Sequence, residues 1–268
     1  MNAVAFDLDD TLLHDDLTIS DYTVRVLQAL RARDFRIIAA SGRSQFSMKP
    51  HLDRLGCVSS YISCNGAEIW DGKTHTLLHR ELFTADLSLE IARFAEANGC
   101  YAQVYDGPCF YFSQHGRWAD LYASVSRLTG IYVGKLSEYI HEPRNKILLI
   151  DSEERIALLY RQALQLFGDR ASVTCSKPIY LEFNPPRAAK GIALAYACEK
   201  LGTDVKQAVA FGDSLNDLSM LEAAGLGIAV SNGWKEIFSH CGAVCGSNND
   251  DGPAHWLNEH FLNGEVIA

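Results

Sequence analysis

Asp7-Leu8-Asp9 places two carboxylates two residues apart, directly after the apolar run Ala3-Val4-Ala5-Phe6. In extended backbone, side chains at i and i+2 point to the same side. Like charges held that close raise one pKa or demand a cation. Magnesium meets the demand, since it prefers carboxylate oxygen, carbonyl oxygen and water. A carboxylate beside such a cation can attack phosphorus and form an acyl phosphate. Its neighbour can protonate the leaving oxygen and later activate water. Three more places offer matching groups. Ser41-Gly42-Arg43 stands after an apolar run, where a hydroxyl and free backbone amides at a helix entrance can hold phosphate oxygens. Lys190-Gly191 offers an ammonium to neutralise both a carboxylate nucleophile and a transferring group. Gly212-Asp213-Ser214-Leu215-Asn216-Asp217 adds carboxylates for a metal and an amide for orientation.

Placing these groups together requires particular elements. Residues 3 to 6 and 36 to 40 read as buried strands, with residues 7 to 20 as loop and a helix starting at Ser20-Asp21-Tyr22. Tyr61-Ile62-Ser63-Cys64 is a third strand that ends at Asn65-Gly66. The last third returns to this alternation, with a helix over 189–202, the strand 207–211, another helix, the strand 226–230 and a last strand near 243–245. Apolar strands separated by helices, with little polar alternation, indicate a parallel sheet covered on both faces. Ligands of such sheets bind outside the carboxyl ends of the strands. Asp7, Ser41 and Asp213 all fall there. Asp, Ser and Gly are also ordinary turn formers, which explains any one of these positions better than all of them together.

The middle of the chain follows a different pattern. Helical stretches over 86–98, 116–129 and 153–167 alternate with edge-type strands over 101–106, 109–113, 146–151, 171–175 and 179–183, with Gly107-Pro108 as a tight turn. The expected architecture is α/β: a Rossmann-like parallel-sheet core from residues 1–82 and 185–268, with an α+β cap inserted over residues 83–184.

As they stand, these residues resemble the haloacid dehalogenase superfamily. Asp7-Leu8-Asp9-Asp10-Thr11-Leu12-Leu13 is similar to its first motif, Ser41-Gly42-Arg43 to its second, Lys190 to its third and Gly212 to Asp217 to its fourth. The order and spacing, the Asn65-Gly66-Ala67 strand end, the late Asn248-Asn249-Asp250-Asp251-Gly252 stretch and the long gap between second and third motifs resemble the Cof-like phosphatase subgroup. The resemblance implies a magnesium-dependent phosphatase acting on a small phosphorylated metabolite, such as a sugar phosphate or a cofactor or nucleotide-type phosphate. It implies Asp7 as nucleophile and Asp9 as general acid and base. Magnesium would be held by Asp7, the backbone carbonyl of Asp9, and Asp213, with Asp217 a direct or indirect partner. Ser41, Lys190 and Asn216 would hold the phosphoryl oxygens, with Gly42 beside them. Asp10 replaces a frequent glycine. Arg187-Ala188-Ala189 replaces the subgroup's usual approach to Lys190, which puts the helix cap there in question and could set an extra cation at the substrate entrance. A phosphomutase and a non-catalytic phosphate-binding module are the alternatives. The presence of all four charged positions, Asp7, Asp9, Lys190 and Asp213, speaks against the second of these.

Other chemistry-bearing residues have plainer readings. Arg43 and Asn65 face the crevice, where substrate contact and helix capping are both open. His14 reads as a solvated loop residue, and His240, Cys241 and Cys245 as packing rather than a metal site. Tyr101, Tyr105, Phe110 and Tyr111 alternate as packing residues of a cap sheet. The formal net charge of −9 argues against a nucleic-acid binder. No apolar run is long enough to span a bilayer and no secretory signal is recognisable. The eight cysteines are scattered in a chain large enough to do without disulfide staples. A cytoplasmic monomer or small homo-oligomer is expected.

Overall fold

The computed structural model describes residues 1–267. The chain opens with β1 (Ala3–Phe6), α1 (Asp21–Ala32), β2 (Arg36–Ala40), α2 (Gln45–Leu55), β3 (Ser60–Ser63), β4 (Glu68–Asp71) and β5 (Leu77–Arg80). It continues through α3 (Ala85–Ala97), β6 (Tyr101–Asp106), β7 (Cys109–Phe112), α4 (Arg117–Ser126), β8 (Thr129–Tyr132) and α5 (Leu136–Tyr139). Then come β9 (Ile147–Ile150), α6 (Glu153–Phe167), β10 (Ser172–Lys177) and β11 (Tyr180–Asn184). The last third holds α7 (Lys190–Lys200), β12 (Ala208–Gly212), α8 (Leu218–Ala223), β13 (Leu226–Val230), α9 (Lys235–Phe238), β14 (Ala243–Cys245) and α10 (Gly252–Phe261).

An eight-stranded sheet runs in the order β14-β13-β12-β1-β2-β3-β4-β5. Its strands are parallel from β14 to β3, as the uninterrupted apolar runs require. The two ends of the chain meet where β1 pairs with β12, in the register Ala3↔Ala208 to Phe6↔Phe211. That register sets Asp7 and Asp213 side by side just beyond the sheet. Alternate residues supply opposite faces. Val4, Phe6, Ile37, Val209 and Phe211 pack with residues of α1, α2 and α10. Ala3, Ala5, Ala40, Ala208 and Ala210 form a flatter face against α7 and α8. Full burial of Phe6 and Phe211 contributes about 1.5–3 kcal/mol each.

A six-stranded sheet, β10-β11-β9-β6-β7-β8, is built entirely from the middle of the chain. It is antiparallel except between β7 and β8. One face is covered by α3 and α6 through Leu87, Ile91, Ile156 and Leu159. The other carries Tyr101, Tyr105, Phe110 and Tyr180, with Ala119 and Tyr122 of α4 packed on it. Tyr101, Tyr105 and Phe110 are thus packing residues, as expected, whereas Tyr111 packs against the α3/α6 side.

Three local expectations fail. Residues 8–12, expected as loop, close one wide helical turn, with Leu13 N–H donating to Leu8 O at 2.8 Å and Asp10 at φ +55°. The antiparallel strands β4 and β5 extend the parallel sheet beyond β3. They are four residues each, and β5 is only half-buried, so no sustained apolar run marks it. The helix expected over 116–129 stops at Ser126, and exposed β8 follows it. An exposed edge strand has no burial alternation to read.

Candidate active site

Asp7 is the first residue beyond β1, and its backbone N–H still donates to Phe211 O at 3.1 Å. That hydrogen bond fixes the carboxylate over the end of the sheet. Lys190 opens α7 and is wholly buried. Its Nζ lies 3.0 Å from Asp7 Oδ1 and 2.5 Å from Asp217 Oδ1. Ala189 gives that helix no side-chain cap; Ser219 Oγ accepts from the Gly191 N–H at 3.1 Å instead. The capping question raised by the sequence is thus answered from α8.

The fourth motif folds around Asp217. Its Oδ2 accepts from the backbone N–H groups of Asp213 and Ser214, at 3.0 and 3.1 Å. A Cβ on Gly212 would lie 2.5 Å from Asp217 Cβ, so only glycine lets the carboxylate tuck under the loop. Thr11 Oγ1 donates to Asp213 Oδ1 at 2.9 Å. Asp7, Asp213 and Asp217 bring one carboxylate oxygen each within 4.8 Å of one another, all buried.

Burial dominates the electrostatics. It raises the Asp7 carboxyl to about 8 against the opposing pull of Lys190, with Asp217 and Asp9 adding to the rise. It also pushes Asp213 well above the usual carboxylate range, reinforced by Asp217 and Asp7. Burial alone would lower Lys190, but Asp217 and Asp7 outweigh it and keep the ammonium charged. One cation therefore serves three buried carboxylates. Lys190 is close enough to Asp7 Oδ1 for charge attraction but poorly angled for a hydrogen bond, and among the described residues that oxygen has no donor. Both oxygens of Asp217 already accept hydrogen bonds. A divalent cation at Asp7 and Asp213 fits this surplus of buried negative charge and the undonated oxygen.

Asp9 is arranged differently from the sequence expectation. The turn after Asp7 carries its carboxylate to Arg43, whose Nε and Nη2 donate to Oδ2 and Oδ1 at 2.7 Å each. Burial would raise Asp9, yet the Arg43 guanidinium overrides it and holds the carboxyl below its usual range. The demand for a cation falls on Asp7, Asp213 and Asp217 rather than on the Asp7–Asp9 pair. Ser44, not Arg43, caps the start of α2, and Arg43 instead serves the end of α4: its Nη1 donates to Val125 O at 3.0 Å and to Ser47 Oγ at 2.8 Å. Ser47 Oγ donates in turn to Ser126 O at 2.8 Å. Side chains of one sheet unit thus satisfy the last carbonyls of α4 in the other.

Ser41 is buried at the end of β2, where its Oγ accepts from Arg43 N at 3.1 Å. The expected helix entrance lies further on, at Ser44, whose Oγ accepts from Ser47 N. Gly42 carries its carbonyl to Lys146 Nζ at 2.7 Å. Asn65, at φ +57°, donates to Glu182 Oε2 and Asn184 Oδ1 at 2.6 and 3.0 Å, and accepts from Asn216 Nδ2 at 3.1 Å. Arg187 is exposed and 4.0 Å from Glu81, and does not line the cavity. Asp7, Asp9, Ser41, Gly42, Arg43, Asp213 and Asn216 do line one cavity of about 190 Å³, between the carboxyl ends of the parallel strands and the six-stranded sheet.

Sequence reasoning missed the other half of that cavity. Lys146 and Glu182 form a buried ion pair at 2.6 Å. Lys177 pairs with Asp10 at 3.0 Å, and Tyr122 and Tyr180 supply aromatic wall. Neither lysine sits in a motif; the single local signal is that Glu182 and Lys177 are charges in otherwise strand-like runs. His14 is a half-buried loop residue whose Nε2 lies 3.0 Å from Asp251 Oδ1. Cys241 and Cys245 are free, and His240 pairs with Glu222. All eight cysteines are free, and among the described residues no helix is long and apolar enough to cross a membrane.

The haloacid dehalogenase-like hydrolase family model matches residues 4–257. Phosphatase YwpJ of Bacillus subtilis is 27% identical, over 98% of this chain and all of its own. Pyridoxal phosphate phosphatase YbhA of Escherichia coli is 26% identical, over 97% of this chain and 98% of its own. A solved haloacid dehalogenase-like hydrolase from B. subtilis superposes with a TM-score of 0.88 at 26% identity, over 98% of this chain and 100% of that one. The chain belongs to the haloacid dehalogenase-like hydrolases, in their Cof-like subgroup, and is an enzyme of the phosphoric monoester hydrolase class.

Proposed function

We propose that this protein is a magnesium-dependent phosphatase that hydrolyses a small phosphorylated metabolite through an aspartyl phosphate on Asp7, with residues 83–184 as the cap over the site. The observation that carries the proposal is the Asp7 carboxylate at the floor of the cavity, buried, short of a hydrogen-bond donor, and set between Lys190 and Asp213. Asp7 and Asp213 would hold the magnesium ion, which would supply positive charge for the nucleophile and the phosphoryl oxygens.

Asp7 attacks phosphorus, the bond from phosphorus to the ester oxygen breaks, and its electron pair stays with the departing alcohol. Asp9 gives that oxygen a proton. With both carboxylate oxygens on Arg43 it is held ionised, so it takes up the proton only after Arg43 releases one of them. Water then attacks the acyl phosphate and loses a proton to Asp9. The bond from phosphorus to Asp7 breaks, restoring the carboxylate and releasing inorganic phosphate. Lys190 stays charged throughout and offsets the growing negative charge. Ser41 and Asn216 present a hydroxyl and an amide at the cavity wall for the phosphoryl oxygens.

Phosphate release from p-nitrophenyl phosphate and a panel of metabolite phosphates, with and without magnesium, tests this reading. Asp7→Asn is expected to lower kcat by at least about a thousandfold, since removal of a nucleophile leaves only residual binding and electrostatic effects. Retention of activity by that variant would remove Asp7 from the chemistry.

A further inference from the structure

The chain carries a formal net charge of −9, yet positive charge collects at the pole of the parallel sheet opposite the active site. An open depression of about 410 Å³ there is lined by Arg31, Arg36, Lys73 and Lys200, together with Ser59 and Asp71. The four cations come from four places in the fold. Arg31 is in the last turn of α1, Arg36 begins β2, Lys73 is in the turn between β4 and β5, and Lys200 ends α7. α1 and α7 cover opposite faces of the sheet, so the charges flank its edge from both sides.

Among the described residues none of the four forms an ion pair. Arg36 is half-buried, and neutral acceptors fix its guanidinium: Nε donates to Leu201 O at 3.2 Å and Nη1 to Asp34 O at 3.1 Å. Its orientation is set while its charge stays uncompensated. Asp71 is the one carboxylate of the lining, and the β4–β5 turn engages its Oδ1, which accepts from Lys73 N, Thr74 N and Thr74 Oγ1 at 2.9, 2.7 and 2.9 Å. Asp34, Glu199 and Asp204 stand near these elements in sequence but do not line the depression.

A cation in the last turn of a helix ordinarily meets the negative end of that helix. That accounts for Arg31 and Lys200 taken singly, but not for Arg36 at a strand start or Lys73 in a turn. Setting Asp71 and about half a negative charge at each helix end against the four cations still leaves about two positive charges. The lining crosses β2, β3 and β4, tied by Ser59 N–H to Ile37 O at 2.7 Å and Gly72 N–H to Ser59 O at 3.0 Å. Two strand spacings make this about 10 Å, wider than a single phosphate or carboxylate group. Those amides are already engaged, so side chains alone would hold the anion.

We infer that this pole is a binding site for a small molecule carrying two or more linked phosphate groups, separate from the catalytic cavity. α7 runs from Lys190 in the active site to Lys200 here, about 15 Å away, so a ligand at one end does not occupy the other. The inference does not depend on the reaction carried out at Asp7.

Calorimetric titration of the full chain with sodium tripolyphosphate and with inorganic phosphate tests it. Magnesium is left out, since it complexes tripolyphosphate and would draw phosphate to Asp7 and Asp213. Saturable binding of tripolyphosphate is expected, at least about tenfold tighter than inorganic phosphate and weaker as salt rises. Arg31→Gln, Lys73→Gln and Lys200→Gln combined should weaken it at least about tenfold. Arg93→Gln, Lys135→Gln and Arg161→Gln combined remove the same charge from the six-stranded unit and should change it less than about threefold. All six side chains are exposed, so both variants are expected to fold, as circular dichroism would check. No saturable binding of tripolyphosphate, equal affinity for inorganic phosphate, or equal weakening by the two triple variants would overturn the inference.

Discussion

At the residue scale, each buried cation is set against particular carboxylates, and the negative charge around Asp7 and Asp213 remains in excess. Lys190 answers Asp7 and Asp217, and Arg43 answers Asp9. Beside Arg43 lies His51, buried on α2 with no hydrogen bond to its ring among the described residues. Burial, reinforced by the Arg43 guanidinium, lowers its imidazole from 6.5 to about 4. Folded His51 therefore binds its proton more weakly than the unfolded chain does, so protonation favours unfolding. Its contribution is fully present above about pH 6.5 and is lost as pH falls toward 4, amounting to about 3 kcal/mol. Urea unfolding across that range should show the loss in the wild type and a flatter profile in His51→Gln. Equal slopes would mean that His51 is charged in the fold.

At the element scale, the site depends on how closely α7 and α8 approach. A Cβ on Gly191 would lie 2.1 Å from Ser219 O, on the same residue whose hydroxyl caps the start of α7. Helix propensity favours Gly191→Ala by about 1 kcal/mol, but the overlap is with backbone and the helices must separate. Overpacking of this kind costs about 1–3 kcal/mol. The variant is therefore expected to gain nothing from its better helix former and to be less stable by up to about 2 kcal/mol in denaturant unfolding. It is also expected to lose activity, because Lys190 moves with the helix. A stabilised, fully active variant would show that the contact is slack. The strands of this scale were legible where their residues are continuously apolar, as in β1, β2, β12 and β13. They were not legible where pairing alone makes the strand, as in half-buried β5 and exposed β8.

At the scale of the whole molecule, the two sheets are joined through buried polar contacts as well as the cavity. Lys146 reaches Gly42 O and Glu182, while Asn65 reaches Glu182 and Asn184. Glu182→Leu would leave the buried Lys146 ammonium with the Gly42 carbonyl but no counter-charge, and would remove one of the two acceptors of the Asn65 amide. Removing one member of a buried pair costs about 3–5 kcal/mol. Asp53→Ala, which breaks the exposed pair with Lys49, is expected to cost no more than about 0.5 kcal/mol. Thermal or urea unfolding of the two variants distinguishes the cases. Similar small losses would mean that water replaces Glu182 at the joint.

The groups that stand at the carboxyl ends of the strands are written in the amino-acid order, because an apolar run followed by Asp, Ser or Gly is a local signal. Asp7, Ser41 and Asp213 were readable for that reason, and Lys190 through its resemblance to a family motif. Which charge answers which is settled only by folding. Asp9 could have shared a cation with Asp7, but the turn at Asp10 carries it to Arg43, 34 residues away. Asn65 finds Glu182 across 117 residues, and Lys177 finds Asp10 across 167. Such partnerships follow from the packing of one sheet against another and leave no periodic trace along the chain. The far wall of the cavity, where Lys146, Lys177 and Glu182 stand with Leu121 and Val125, has the same origin. Leu121 and Val125 look like any helix face in sequence, and only the assembled molecule leaves them uncovered beside the reacting groups.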